Sequence, residues 1–550
     1  MRFPSIAVTS SLALASCVTP GKPPQGASDG KSVSLVYFAD IHAQMESHPE
    51  LFWSHGKEEI VQAGGMSRIA TAVEEMRRST PGQVLFMDAG DTFQGGGAAA
   101  WTSGKVVVPA LNALHIDLAI PGNWEVVYGI PALLERSREL NYPIVAANIL
   151  DASTGKPFFA PYLVREVNGV RLAIIGFTDP DVPSRQPPGY SAGASFLGFD
   201  MLPALVQHIR EQEKPNAVIL LTHVGLPRAV HIAETVLGID VVLSGDTHER
   251  TYEPIVRGNV WVVEPGSFGS FLGRLDLTFR GSHIEKKWHL IELRADRFGE
   301  DPEVKRVVAR QLAPYRDRLD GVIGETSVPL YRYAVAETTL DAVLSDAIRE
   351  AAGTDISFSN GFRFAQPIMP GHLTEADLWN AYPIDNRLKV GRVTGRQLRE
   401  FWENELEHVY ASDPDKLFGG WLPRPSGLAL RFKARAPRGE RIVSLEVHGK
   451  PVQDAAIYTV AACEREGDHE DTLCRIPHVS EPKVLDLDAH QAVRRYLARH
   501  SPLTEPTMGR VVALDLPANM HSQFFGALGN AGVQVSASGG LDRRTPPTMP

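Results

Sequence analysis

LFMDAGDTFQG, residues Leu85 to Gly95, carries a short apolar run straight into Asp91, a carboxylate with a glycine before it and a polar turn after it. Val84 to Met87 has the composition of a strand covered on both faces, so the first carboxylate past its end can be aimed at whatever collects along that edge of the sheet. Four other apolar runs in the same half of the chain end in the same way. SLVYFAD ends on Asp40 with His42 two residues later, DLAIPGNWE delivers Asn123, AVILLTHVG delivers His223, and DVVLSGDTHE delivers Asp246 and His248. A lone Asp or His after a strand is more often a turn former than a ligand. Five coincident exits reverse that reading, because ligands of an open α/β sheet gather outside the carboxyl ends of its strands. Asp40, His42, Asp91, Asn123, His223, Asp246 and His248 then describe one pocket. Seven ligands are too many for one ion, and Asp91 is the natural bridge between two ions roughly 3.5 Å apart, the spacing of two-metal hydrolytic centres.

In order and spacing, the blocks DIH, GD, GNWE, TH and GDTH resemble the five blocks of the calcineurin-like metallophosphoesterases. GDTFQG with the later TSGK, NALHIDLAIPGNWEVVYG, and EPGSFGSFLGRLDL are similar to the 5′-nucleotidase branch. The resemblance runs from about Ser32 to Leu516. It implies an α/β chain: a four-layer αββα catalytic sandwich over 32–300 and a C-terminal α/β substrate domain of 5′-nucleotidase type over 324–516. It also implies that Asp40, His42, Asp91 and His248 hold one metal, and Asp91, Asn123, His223 and Asp246 the other.

The remaining organisation follows from composition. At 550 residues the chain exceeds what one hydrophobic core usually serves, so two domains are expected. Hydrophobic content of 43% and charge of 22% fit a globular protein rather than a disordered or membrane-embedded one. The net charge of −10 gives no basic footprint for nucleic acid. Residues 1–17 read as a signal segment whose Leu14-Ala15-Ser16-Cys17 resembles a bacterial lipobox, with Cys17 as the lipid-bearing residue. The expectation is an exported protein, periplasmic or anchored to the outer membrane by that lipid alone, acting as a monomer. Residues 18–31, rich in Pro, Gly and Ser, read as a tether. Residues 301–323 form a charged helical stretch with little apolar face and fit a linker. LDAVLSDAIREAAG reads as an amphipathic helix stopped by a glycine, Gly395 to Tyr410 as another, and 517–550 as a disordered tail.

Two positions depart from the family pattern. Where the third block usually carries a histidine that assists the leaving group, this chain has Trp124, and indole cannot deliver a proton. Asp91, Asn123, Trp124 and Glu125 lie nearest the chemistry, with Glu125 the next candidate for an acid. Where GHTH is usual, GDTH places Asp246. Two divalent ions, three aspartates and one hydroxide then sum to neutrality, against a single positive charge in the common pattern. A harder, more anionic site favours Mn²⁺, Mg²⁺ or Fe²⁺ over Zn²⁺.

In the second domain the family's substrate residues map onto Asn360 and Arg363 of SNGFRF, onto Trp421 before PSGL, and onto Asp468. The aromatic that usually follows that last Asp is absent, with His469 in its place. Cys463 and Cys474 flank a short loop and could form a disulfide in an exported protein. The reading is an exported dinuclear-metal phosphohydrolase acting on nucleotides or related phosphate esters through metal-activated hydroxide, with Mn²⁺ favoured. Trp124, PLYR, GFRF and IMPG also resemble the SoxB-type thiosulfohydrolases, which makes release of sulfonate from a carrier thiol the alternative. A metal-bound binding protein of little turnover is the third.

Overall fold

The computed structural model describes residues 30–54, 57–362, 365–417 and 419–516. Side-chain alternation along the strands sets its layers. In Ser32–Phe38, Val33, Leu35 and Tyr37 point to one core, and Val36 and Phe38 to another. That strand is central in a five-stranded sheet, ordered His283–Glu292, Phe271–Arg280, Ser32–Phe38, Val84–Asp88, Leu118–Ala119, whose last three strands run parallel. A six-stranded sheet follows the order Ile255–Arg257, Val260–Val263, Val241–Gly245, Ala217–His223, Val170–Thr178, Tyr162–Val167, with parallel pairing at its centre.

The two sheets pack face to face. Val33, Leu35, Leu85 and Met87 of the first meet Leu172, Ile174, Ile219, Leu221 and Leu243 of the second. The opposite face of the first sheet, with Val36, Phe38 and Phe86, is covered by helices Met66–Ser79 and Val108–Ala113. The opposite face of the second, with Ile175, Val218, Leu220 and Val242, is covered by helices Leu202–Gln212 and Leu226–Thr235. The result is the four-layer αββα sandwich. Each buried aliphatic side chain contributes about 1.5–3 kcal/mol, and a one-residue slip of a strand would turn its whole inner set outward. Register is thereby fixed, and with it the point at which each strand delivers its polar residue.

Residues 301–323 are largely helical, as read, and pack against the catalytic domain. Helix Pro302–Leu312 buries Val304, Val308 and Leu312 in the same core as Met66 and Ile69, and Leu319 joins them. Its apolar stripe is narrow, one residue per turn at i, i+4 and i+8, which is why the surrounding charges obscure it in the sequence. Asp301 caps it by accepting from the amides of Glu303 and Val304.

The second domain is built on the sheet Arg424–Ser426, Ile356–Ser359, Ile457–Cys463, Arg387–Thr394, Ser480–Asp488. Helices Thr339–Ala352 and Ala489–His500 pack on one side of it and helix Gly395–Tyr410 on the other. The glycine stop is present: Gly353 takes φ 65°, the left-handed end of the first of these helices. Contacts tie the domains together. Tyr333 Oη donates to the His248 carbonyl at 2.7 Å, and Arg465 Nη2 donates to the carbonyls of Ser184 and Gln186 at 2.7 and 2.5 Å. Gln44, Gln366 and Asn380 close a ring of amide hydrogen bonds across the boundary. Among the described residues no helix is long and apolar enough to cross a membrane. The signal segment with Cys17, most of the tether, Arg363 and the tail 517–550 lie outside the described residues.

Candidate metal centre and substrate cavity

The seven strand-exit residues converge, but from two sheets rather than one. The first sheet supplies Asp40, His42, Asp91 and Asn123 and the second supplies His223, Asp246 and His248, their exits meeting at one end of the sandwich. Asp88 makes the turn after its strand by accepting from the Gly90 amide and the Thr92 hydroxyl, both at 2.9 Å. A Cβ on Gly122 would overlap the Asp91 carboxylate, so glycine at that position lets the Asn123 loop close. Asp40, His42, Asp91, Asp246 and His248 all hold positive φ, between 46° and 94°. Non-glycine residues persist there only where the surroundings over-determine them, as they do at functional sites.

Buried acceptors face each other across the centre. His42 Nδ1 lies 3.0 Å from Gln94 Oε1 and His223 Nδ1 lies 2.7 Å from the Ala89 carbonyl, so each ring turns its Nε2 inward, bare in the neutral form. Burial opposes charge on His223, but in the metal-free centre Asp91 and Asp40 favour its charged form. His42 Nε2 and His248 Nε2 are 3.1 Å apart. The Asn123 carboxamide oxygen stands 3.0 Å from Asp91 Oδ2 and 3.2 Å from His223 Nε2. Lone pairs opposed at these distances repel in a protein interior, and cations between them resolve the repulsion. Turning the amide over would relieve Asn123 alone. The donors form two sets, Asp40–His42–His248 and Asp40–Asp91–His223, each with ligating atoms within 4.8 Å of one another. Asp40 belongs to both. Asp91 Oδ2 also spans them, 3.2 Å from His223 Nε2 and 3.7 Å from His42 Nε2. The site fits two divalent ions. Burial lifts Asp40 to about 7 and pushes the His42 imidazole down to about 4, which keeps that imidazole in its ligating, neutral form.

Asp246 lies beside these sets and not within them. Its amide donates to Asp40 at 3.2 Å, and its carboxylate stands 3.5 Å from Arg185 Nη1. Glu125 is no acid for the reaction. Its carboxylate accepts from the amides of Asp91 at 2.8 Å, Thr92 at 2.6 Å, Phe93 at 3.1 Å and Gly122 at 2.5 Å, so it splints the Asp91 and Asn123 loops together.

Two buried carboxyls support the centre from behind. Burial raises Asp88 to about 7 and Glu264, which accepts from Ser244 and Thr247, to about 8. A carboxyl with a raised folded-state pKa holds its proton more tightly folded than unfolded, so its contribution is full at low pH and is lost as pH climbs through 7 to 8. The metal-stripped full chain should therefore show a falling thermal midpoint from about pH 5.5 to about pH 8.5, and added Mn²⁺ should restore it most at the upper end. Calorimetry with and without chelator checks this; a metal-free midpoint that rises over that range would contradict it.

A cavity opens from the centre toward the second domain. Asp91, Asn123, Trp124, Arg185 and His248 line one wall, and Asn360, Phe362, Trp421, Arg465 and Asp468 line the other. Trp124, Phe362 and Trp421 form a chain of edge-to-face rings with centroids 5.6 and 5.9 Å apart. Three of the four substrate residues read from the sequence, Asn360, Trp421 and Asp468, thus reach the cavity. Asn360 Oδ1 is held by Arg332 at 2.8 Å and by the Phe362 amide at 3.2 Å, so Asn360 shapes the loop that presents Phe362. Phe362, in the SNGFRF stretch, places a second ring beside Trp421, and His469 lies exposed against Asp471. Cys463 and Cys474 also line the cavity and are two free thiols, in place of the disulfide the short loop allows. Cys474 sits in a left-handed turn at φ 49° within the Leu473–Ile476 bridge, which holds it independently of Cys463. Arg185 is the residue missed altogether. Its signal was the run RLAIIGFTDP, a sixth apolar strand ending at Asp179, which fixes Arg185.

Residues 33–250 match the family description Calcineurin-like phosphoesterase, and residues 322–464 match 5′-nucleotidase, C-terminal domain. The trifunctional nucleotide phosphoesterase protein YfkN of Bacillus subtilis is 28% identical over 445 residues, 72% of this chain, which spans 30% of that longer protein. Snake venom 5′-nucleotidase of Naja atra is 27% identical over 76% of this chain and 84% of its own length. Among solved structures, sulfate thiohydrolase SoxB of Thermus thermophilus shares the fold, with a TM-score of 0.79, 24% identity, and coverage of 91% of this chain and 99% of that one. Strand exits, paired donor sets and domain order agree with these matches, and the chain joins a calcineurin-like metallophosphoesterase domain to a 5′-nucleotidase C-terminal domain, the architecture of a metal-dependent hydrolase.

Proposed function

We propose that this chain is an exported hydrolase of nucleotides or closely related phosphate esters that works with two Mn²⁺ ions. The observation that carries the reading is that the donor sets and the Phe362–Trp421 pair open on one cavity, so a phosphoryl group at the first can belong to the same molecule as a base against the second. Base–aromatic stacking contributes about 1 to 3 kcal/mol per base. Asp40, Asp91 and Asn123 offer oxygen donors that suit manganese, while the three imidazoles tolerate zinc as well. Bound there, the ions would supply Lewis acidity toward phosphoryl oxygens and water. The chain's own residues do the rest. Gln94 and the Ala89 carbonyl fix the two imidazole rings, Glu125 splints the loops, and Trp124 covers the Asp91 side of the cavity against bulk water. Export with lipid on Cys17 belongs to the same reading.

Trp124 favours a second reading, release of a sulfonate from a thiol, because a thiolate departs without a proton donor and an alkoxide does not. A panel of AMP, other nucleotides, p-nitrophenyl phosphate and a sulfonated thiol, assayed with Mn²⁺ on the full chain, tests both. Turnover of the phosphate esters is expected. Turnover of the sulfonated thiol alone would replace the first reading with the second.

A further inference from the structure

Arg185 ends the short helix Val182–Arg185, just past the strand Val170–Thr178. Its Nη1 is paired with the fully buried Asp179, whose other oxygen takes Arg228 Nη1 at 3.1 Å. Arg228 is anchored in turn by Asp181 at 2.5 Å. The guanidinium side chain is 11% exposed, and what it exposes lines the cavity beside Asp91, Asn123, Trp124 and Asp246. Asp246 Oδ2 lies 3.5 Å away. Burial opposes charge on this side chain, but Asp246 and Asp179 hold it as a cation.

This placement changes the arithmetic at the centre. Read from the sequence, Asp246 makes the site neutral where the common pattern leaves one positive charge. Arg185 sets a cation against that carboxylate, within a network where Arg185 and Arg228 balance Asp179 and Asp181, and presents a planar fork of N–H donors suited to tetrahedral oxyanions. A carboxylate facing the cavity alone would repel an incoming phosphoryl group; paired with Arg185 it becomes one side of a clamp. Its partner network of Asp179, Arg228 and Asp181 fixes the guanidinium before substrate arrives, which lowers the entropy lost on binding.

We propose that Arg185 is a substrate-binding residue of the catalytic domain, which takes an oxygen of the anionic group at the Asp246 side of the centre. For turnover, this rests on the phosphohydrolase reading above; for anion binding it does not. The test uses the full Mn²⁺-loaded chain with Arg185→Met and Arg185→Lys. Titration calorimetry with inorganic phosphate should show Kd raised about 10- to 100-fold in the first variant and partly recovered in the second, as expected for loss of a charged hydrogen bond. KM for p-nitrophenyl phosphate should follow Kd, while metal content stays at the wild-type level. An unchanged phosphate Kd overturns the proposal. So does loss of metal in Arg185→Met with no recovery in Arg185→Lys, which would make Arg185 only a prop for Asp246. If wild type hydrolyses no phosphate ester, the hydrolase reading fails, and the calorimetric comparison still decides the role of Arg185.

Discussion

Asp91→Ala is expected to strip both metal ions from the protein and to abolish turnover in one step. The carboxylate belongs to the Asp40–Asp91–His223 set, with His223 Nε2 at 3.2 Å, and stands 3.7 Å from His42 Nε2 of the other, so its removal takes a donor from one set and a neighbouring oxygen from the second. It also takes away the acceptor for the Trp124 amide at 2.7 Å, which holds the Asn123 loop against the centre. Losing the ions removes several kcal/mol of charge stabilisation, and at about 1.4 kcal/mol per tenfold the rate should fall by at least ~10³-fold. Elemental analysis of gel-filtered protein should find wild type with two ions per chain and the variant with under half of that. Asp91→Asn, which keeps the shape and the loop contact, should retain one ion more often than none. Two ions retained in Asp91→Ala would move the bridging role wholly to Asp40, the other carboxylate common to both sets.

The ligand set was legible because each member follows an apolar run, and a buried strand announces its end wherever the first polar residue falls. That logic cannot say which sheet a strand joins. A parallel strand covered on both faces reads the same in either layer, so seven residues assigned to one sheet edge come from two. Glu125 was misread for a related reason. A carboxylate next to a ligand block has the composition of an acid, and only the amides of Asp91, Thr92, Phe93 and Gly122, arriving from two loops, show that its acceptor capacity is filled. Phe362 and Arg185 depend on tertiary placement in the same way. The first is carried into the cavity by a loop tied to Arg332, and the second is held by Asp179 at a strand exit that bears no metal ligand. The helix at Pro302–Leu312 was legible but its docking was hidden by its own surface, since three apolar residues among charged ones suffice to dock a helix whose other faces are wet.

Trp124→His is expected to raise AMP hydrolysis about 10²-fold or more while scarcely moving p-nitrophenyl phosphate, because general acid assistance typically contributes 10²- to 10⁴-fold and helps poor leaving groups most. Trp124 is well placed for the comparison. Its amide is pinned to Asp91 Oδ1, so the backbone at this position is fixed whatever the side chain, and its ring lines the cavity beside Asn123. Glu125 cannot stand in for it, being committed to four amides, and a guanidinium such as Arg185 stays charged and gives up no proton. Wild type should therefore depend steeply on leaving-group pKa, with the aryl ester far ahead of AMP. The substitution has a cost, since imidazole is smaller than indole and forfeits the edge contact with Phe362 at 5.6 Å. KM for AMP should rise somewhat, so the gain belongs in kcat. Measured side by side, a ratio of the two kcat values that narrows in Trp124→His supports loss of the leaving-group acid in this chain. If wild type already hydrolyses AMP as fast as the aryl ester, leaving-group departure is not limiting, and indole at this position serves to wall the cavity.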